Sequence, residues 1–174
     1  MIIETIKSER LLLRPFRPGD ADEMSKIYSD ETVMKYIGRG GPANKEQTLQ
    51  IIEAFIDSYD KHGFGIMGVT EKTNVRLIGH CGFNFLRSDS EIEIAYLLDK
   101  KYWGKGYATE IASSTLEFGF NILKLKKIVA LAYPENVNSV NVINKLGMTA
   151  KGYRRHFGID FLYFSKENPA NQKS

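Results

Sequence analysis

The order of apolar and polar residues divides the chain into short strand-like runs and longer helix-like stretches. Ser8 to Arg14 is a β-rich run closed by Pro15 and Pro18, and Asp20 stands where a helix over Ala21 to Tyr28 begins. Between Lys45 and Lys61, Leu49, Ile52, Phe55, Ile56 and Tyr59 recur at helical spacing, and Gly63 is placed to end that helix. Three strand-like runs follow, Phe64 to Val69, Leu77 to Phe85 and Glu91 to Leu98. The turn residues Lys72-Thr73-Asn74 and Arg87-Ser88-Asp89-Ser90 separate them, and links this short predict antiparallel pairing. Ala108, Ile111, Ala112, Thr115, Leu116, Gly119 and Leu123 form one i, i+3, i+4, i+7 stripe, so the next helix packs on the sheet.

Lys127 to Ala132 reads as a buried strand broken by Pro134-Glu135-Asn136. Asn138 or Ser139 can cap a short helix running to Lys145 and ended by Gly147, and Ile159 to Phe164 alternates as a last strand. Ile37 to Pro42 and Gly152 to Gly158 read as loops, the first able to cover a substrate, and residues 167–174 as a polar, frayed tail. The sum is a mixed α/β (α+β) fold, one domain over residues 1–166.

Leu97 to Glu110 is the stretch with the clearest chemistry, an alternating strand running through a glycine turn into an amphipathic helix. Gly104 and Gly106 allow backbone conformations closed to other residues, and the helix after them starts with unpaired amides that attract phosphate. The expected ligand group is a pyrophosphate. A nucleoside triphosphatase loop is excluded because no G-x-x-x-x-G-K-[ST] occurs, and Gly104-x-Gly106 lacks the third glycine of a dinucleotide fingerprint.

Composition narrows the class. The 174 residues suit a single core, 43% hydrophobic and 26% charged residues are ordinary for a soluble protein, and no apolar run approaches the length of a membrane span. The start, Met1-Ile2-Ile3-Glu4, has no signal-peptide pattern, so a cytoplasmic location without membrane attachment is expected. Cys81, the only cysteine, excludes an internal disulfide and a multi-cysteine zinc site, and its place inside a strand favours packing. A net charge of +3 spread along the chain argues against nucleic acid as partner. Lys124/Lys126/Lys127 and Arg154/Arg155/His156 read as solvated ends of elements. His80 and His62 have no partner spacing for acid–base work, and structural roles are expected of both.

Four motifs in order give the chain a near end-to-end resemblance to the GNAT acetyltransferase superfamily. They are Glu9-Arg10-Leu11 with Leu13-Arg14-Pro15, Glu93-Ile94-Ala95-Tyr96, Tyr102 to Glu110, and Pro134-Glu135-Asn136 with Ser139 and Lys145-Leu146-Gly147-Met148. The branch resembled is that of ribosomal-protein N-terminal (alanine/serine) acetyltransferases. The resemblance implies a mostly antiparallel twisted sheet flanked by helices and split by a V-shaped cleft between the strand ending at Leu98 and the one ending near Tyr133. It implies acetyl-CoA as co-substrate without a metal. The family's Gln/Arg-x-x-Gly-x-Gly/Ala pattern falls on Trp103, Gly106 and Ala108, with Trp103 departing from the first position. Amides from Gly104 through Lys105, Gly106, Tyr107 and Ala108 to Thr109 are then expected to hold the pyrophosphate, Leu98 backbone groups to pair with the pantetheine arm like an added strand, and Asn136 to bond it from the other side.

Transfer of an acetyl group to an amine needs a base and a proton for the departing thiolate. Glu91 and Glu93 share one face of their strand, where like charges raise one pKa, and the resemblance selects Glu93, working through water. A solvated face carrying both glutamates is the plain alternative. Many family members place an acidic tyrosine seven residues after the asparagine, where this chain has Ile143, which leaves Ser139 or water as donor. Two functions follow: an N-acetyltransferase acting on a protein or peptide α-amine or a small amine, or a CoA-binding module without catalysis. Acceptor choice is expected in the loops Ile37 to Pro42 and Gly152 to Gly158. Among relatives a homodimer is common.

Overall fold

A computed structural model of the protein describes residues 5–86 and 91–172, so the Arg87 to Ser90 turn lies outside the described residues. The chain runs β1 (Ile6–Lys7), β2 (Leu11–Arg14), α1 (Ala21–Tyr28), α2 (Glu31–Met34), α3 (Lys45–His62), β3 (Ile66–Glu71), β4 (Asn74–Leu86) and β5 (Glu91–Leu98). It continues through α4 (Tyr107–Asn121), β6 (Lys127–Ala132), α5 (Val137–Lys145), β7 (Thr149–His156) and β8 (Ile159–Glu167). These strands form one sheet in the order β1-β2-β3-β4-β5-β6-β8-β7. Every described neighbour pair is antiparallel except β5 and β6, which are parallel and in register only at Glu93 and Val129. Two strands running the same way and joined at one rung diverge toward their ends, Leu98 and Ala132, which opens the V.

Helices cover both faces. α1 to α3 bury Met24, Ile27, Tyr28 and Ile52 against Ile66, Leu77 and Leu97. On the other face Ala112, Leu116 and Phe120 of α4 and Ile143 of α5 pack on Phe83, Ile94, Ile128 and Ala130. α4 sits so close that a Cβ added at Gly119 would come within 2.6 Å of Phe83 Cζ and 2.8 Å of Ile128 Cδ1. Helix ends obey local chemistry: Asn44 and Gln47 form a reciprocal capping box on α3, which Gly63 ends in the left-handed conformation. No helix among the described residues is long and apolar enough to cross a membrane.

Several elements differ from the sequence reading. Gly152 to Gly158 is not a loop, because β7 runs to His156 and only Phe157 and Gly158 turn, at φ 52° and 77°. β7 is an exposed edge strand, so it lacks the apolar alternation that marks a strand in sequence. Asn136, rather than Asn138 or Ser139, caps α5, its side chain accepting from the Ser139 amide at 3.2 Å. Asp20 occupies the cap position of α1, yet its carboxylate is taken by Arg14, at 2.7 and 2.9 Å, and by the Arg17 amide. The tail begins docked: Asn168 is buried and donates to the Phe120 and Leu125 carbonyls at 3.1 and 3.0 Å. Lys127 and Arg154 are not simply solvated ends, since both converge on Glu91.

Candidate active site

The cradle is built where β5 hands over to α4. Asp99 accepts from the Lys101 amide and caps a 3-10 turn over Lys100–Tyr102, after which Trp103 is extended and Gly104 and Gly106 turn at φ 72° and 77°. Gly106 is the cap residue of α4 and brings no side chain to accept from the first turn, so the first-turn amides of Tyr107, Ala108 and Thr109 have no side-chain cap. Backbone donors at a helix start, approached over two glycines, fit a diphosphate.

One carboxylate in that turn has the wrong charge for a phosphate site, and the chain neutralises it. Glu110 accepts from Arg10 Nε and the Arg10 amide, each at 2.7 Å, and from Ser8 Oγ at 2.5 Å. Burial works to raise its pKa, but these hydrogen bonds prevail and hold it below the ordinary glutamate range. Arg10 also donates through Nη2 to the Lys105 carbonyl at 3.1 Å and lies over the Tyr107 ring, whose hydroxyl donates to Glu71. Lys105 extends over the Tyr102 ring.

The walls of the V carry the other expected residues. Trp103 is 44% exposed, and its indole N–H donates to the Leu98 carbonyl at 2.8 Å, the group expected to pair with the pantetheine arm. Across the gap, the Asn136 side-chain oxygen is engaged by the Ser139 amide, leaving its NH2 to donate. Ser139 is freed from capping, and its hydroxyl lies 3.0 Å from Tyr96 Oη. That tyrosine, to which sequence reasoning gave no role beyond its place in the Glu93-Ile94-Ala95-Tyr96 motif, reaches α5 from β5 and also donates to the Ser139 carbonyl at 3.2 Å. Burial raises its pKa to about 12. Ile143 is 1% exposed and belongs to the core, an apolar side chain with no proton to give.

Glu93 stands at the closed end of the V, at the one rung between β5 and β6. Burial raises its pKa to about 7, opposed by hydrogen bonds from the Asn84 side chain and the Leu131 backbone amide. The expected cause, repulsion by Glu91, is not the one at work. Glu91 accepts from Lys127, Arg154 and the Tyr163 hydroxyl, and these bonds outweigh burial to hold it below the usual range. Nor is the face simply solvated around Glu93. Alternation sends Glu93 to the side of Ala95 and Leu97, under α1 to α3, and Tyr96 to the side of Ile94, under α5. A carboxylate with a pKa near neutrality and a hydroxyl pair therefore occupy opposite faces of one strand.

Three candidates take structural places. Cys81 is fully buried, 3.4 Å from Thr115 Oγ1, and burial pushes its thiol up to about 12. His80 is buried with Nδ1 2.5 Å from Tyr28 Oη, and burial lowers its pKa to about 4. His62 packs its ring 4.2 Å from Phe85. Among the described residues no group of three His, Cys, Asp or Glu could hold a metal ion.

The family model of the acetyltransferase (GNAT) domain matches residues 10–149. An uncharacterized N-acetyltransferase of Bacillus licheniformis is 31% identical, over 89% of this chain and 88% of its own length. The spermidine N(1)-acetyltransferase of Escherichia coli K12 is 24% identical, over 83% and 75%. Among solved structures, a GNAT-family acetyltransferase from Bacillus anthracis superposes with a TM-score of 0.82 at 32% identity, covering 95% of this chain and 99% of its own. RimL, a ribosomal α-N-protein acetyltransferase in complex with coenzyme A, superposes with a TM-score of 0.80 at 16% identity, covering 96% and 99%, and so shares the fold.

Proposed function

We propose that this chain, which belongs to the GNAT acetyltransferase family, moves the acetyl group of acetyl-CoA directly onto a primary amine, an α-amine of a peptide or a small amine, with Glu93 as the base. The observation that carries this reading is the position of the Glu93 carboxyl, half-buried at the single rung that closes the V, where desolvation raises its pKa to about 7. A base works best when its pKa lies near the working pH, and a solvated glutamate would be too weak to take a proton from an ammonium. Acetyl-CoA supplies an acetyl group already activated as a thioester. The chain's part is to bind, orient and move protons.

The amides from Gly104 to Thr109 are suited to hold the pyrophosphate, and the Leu98 carbonyl and Asn136 NH2 to align the arm between the two walls. Glu93 removes the proton of the amine from the α1–α3 side, directly or through one water. The Tyr96–Ser139 hydroxyl pair is the proton donor on the other side, in place of the tyrosine that Ile143 replaces. Base and donor on opposite faces of β5 suit a direct transfer in a ternary complex, with the amine entering from one face and the thiol leaving on the other.

Release of free thiol from acetyl-CoA in the presence of an amine panel, with mass-spectrometric detection of the acetylated amine, tests the reading. Coenzyme A binding without thiol release for any amine identifies a binding module and overturns it.

A further inference from the structure

The rim of the cleft on the face away from α4 carries aromatic rings and cations that the transfer chemistry leaves unused. Tyr133, the residue after β6, donates its hydroxyl to the Gly38 carbonyl at 2.8 Å, and its ring lies 5.4 Å from Tyr36 and 4.7 Å from Phe161. Phe161 lies 6.4 Å from His156, His156 4.0 Å from Phe157, and the Arg39 guanidinium 5.3 Å from the Phe157 centroid. The contacts begin at Tyr36 and end at Arg39, on one loop, and so close a collar from three separate parts of the chain.

Two cations stand on this collar, Arg39 over Phe157 and Lys35, whose Nζ is 4.9 Å from the Tyr36 centroid. Neither has a carboxylate partner among the described residues. Asp160, near the tip of the β7–β8 hairpin, is engaged by Arg155 at 3.4 Å, which leaves as opposing charges Glu135, exposed beyond Tyr133, and Glu93 itself, which the reacting nitrogen meets. A guanidinium parked on a ring keeps its planar fork free and already ordered for a carboxylate. A second ammonium on an acceptor meets two cations there.

Resting on the acetyltransferase reading above, we propose that this collar is the acceptor subsite, that it selects a primary amine bearing a carboxylate within a few bonds of the reacting nitrogen, and that it rejects polyamines. The chemistry is shared by free amino acids and by peptides with an acidic residue next to the N-terminus.

Thiol release with acetyl-CoA tests it on five acceptors: an Ala-Asp peptide amide, an Ala-Lys peptide amide, free β-alanine, ethanolamine as neutral monoamine, and spermidine. The acidic peptide or β-alanine is expected to exceed the lysine peptide and spermidine in kcat/KM by about tenfold or more, a preference that shrinks in high salt. The faster of the two identifies the source of the carboxylate. Arg39→Glu and Lys35→Glu should each reduce or reverse the ratio of acidic to basic acceptor. Transfer to ethanolamine with equal rates for the two peptides, spermidine as the best acceptor, or an unchanged ratio in both variants overturns the collar assignment alone. Bound coenzyme A without transfer to any acceptor overturns the acetyltransferase reading and this inference with it.

Discussion

Arg10 and Glu110 hold each other at 2.7 Å across the start of the cradle, and the same guanidinium bonds the Lys105 carbonyl inside the glycine turn. The pair neutralises a negative charge at the helix start proposed to receive phosphate and fixes the carbonyl side of the turn. Arg10→Ala is expected to weaken coenzyme A binding roughly tenfold to a hundredfold, the range of a lost charge-assisted contact. Arg10→Lys should restore little of it, because a lysine cannot bridge both acceptors in one plane. Calorimetry giving wild-type affinity for Arg10→Ala would show that the cradle holds itself.

Glu93 links activity and stability to pH in opposite senses. Its carboxyl, raised from 4.5 to about 7, must ionise to accept a proton, so kcat/KM should rise through pH 7. Glu93→Gln should lower turnover by ~10²-fold with acetyl-CoA affinity nearly intact, and the defect should shrink toward the amine's own pKa. Between about 4.5 and 7 the folded state holds the proton that the unfolded state has lost, so folding weakens as pH rises through that window. Glu93→Gln escapes this and should melt higher than the parent at pH 8, by up to about 3 kcal/mol, and nearly equal to it at pH 5. Identical differences at both pH values would mean that the carboxyl titrates in the ordinary range.

Tyr96 and Ser139 share one hydrogen bond, 3.0 Å long, and either oxygen can supply the proton. Tyr96→Phe and Ser139→Ala should each lower kcat by about tenfold with the KM for acetyl-CoA little changed, and the double variant should fall by less than the product. Product-like losses would separate the two hydroxyls into independent roles.

Trp103 is the only tryptophan, and its indole N–H is bonded to the Leu98 carbonyl beside the cleft. Saturating coenzyme A is therefore expected to change the emission of the wild-type protein and leave Trp103→Phe dark to the same titration. Unchanged emission with binding confirmed by calorimetry would place the arm away from Leu98.

Cys81→Ala should melt lower by about 1 kcal/mol, for a small buried cavity beside Thr115, and turn over at the wild-type rate in the folded protein. Lost turnover in that folded variant would bring a covalent route through sulfur back into consideration.

The residues carried their own structure wherever periodicity met burial. Ala21 to Tyr28 and Lys127 to Ala132 were legible to the residue, the first because it buries one face at helical period, the second because every residue after Lys127 is apolar, as a strand buried on both faces requires. β7 was not, since an edge strand exposed on both sides has no such pattern. The glycines and helix start of the cradle could be read from local chemistry alone. The partners of Glu93 could not, because Asn84 and Leu131 come from strands nine residues before and thirty-eight after it. Sequence proximity pointed to Glu91 as the source of its raised pKa, whereas folding delivered Lys127, Arg154 and Tyr163 to Glu91 and left burial to act on Glu93. Tyr96 carried one faint signal, a hydroxyl on an apolar strand face.

The lone rung between Glu93 and Val129 makes the sheet two plates joined at one point of the backbone, with α4 and a single apolar cluster of Phe83, Ile94, Ile128 and Ala130 packed across the joint. A ligand seated between Leu98 and the start of α5 would be a strut, supplying the cross-bonds that the diverging strands cannot make to each other. Occupancy should then be felt far from the ligand, as slower amide exchange along β6 and β8.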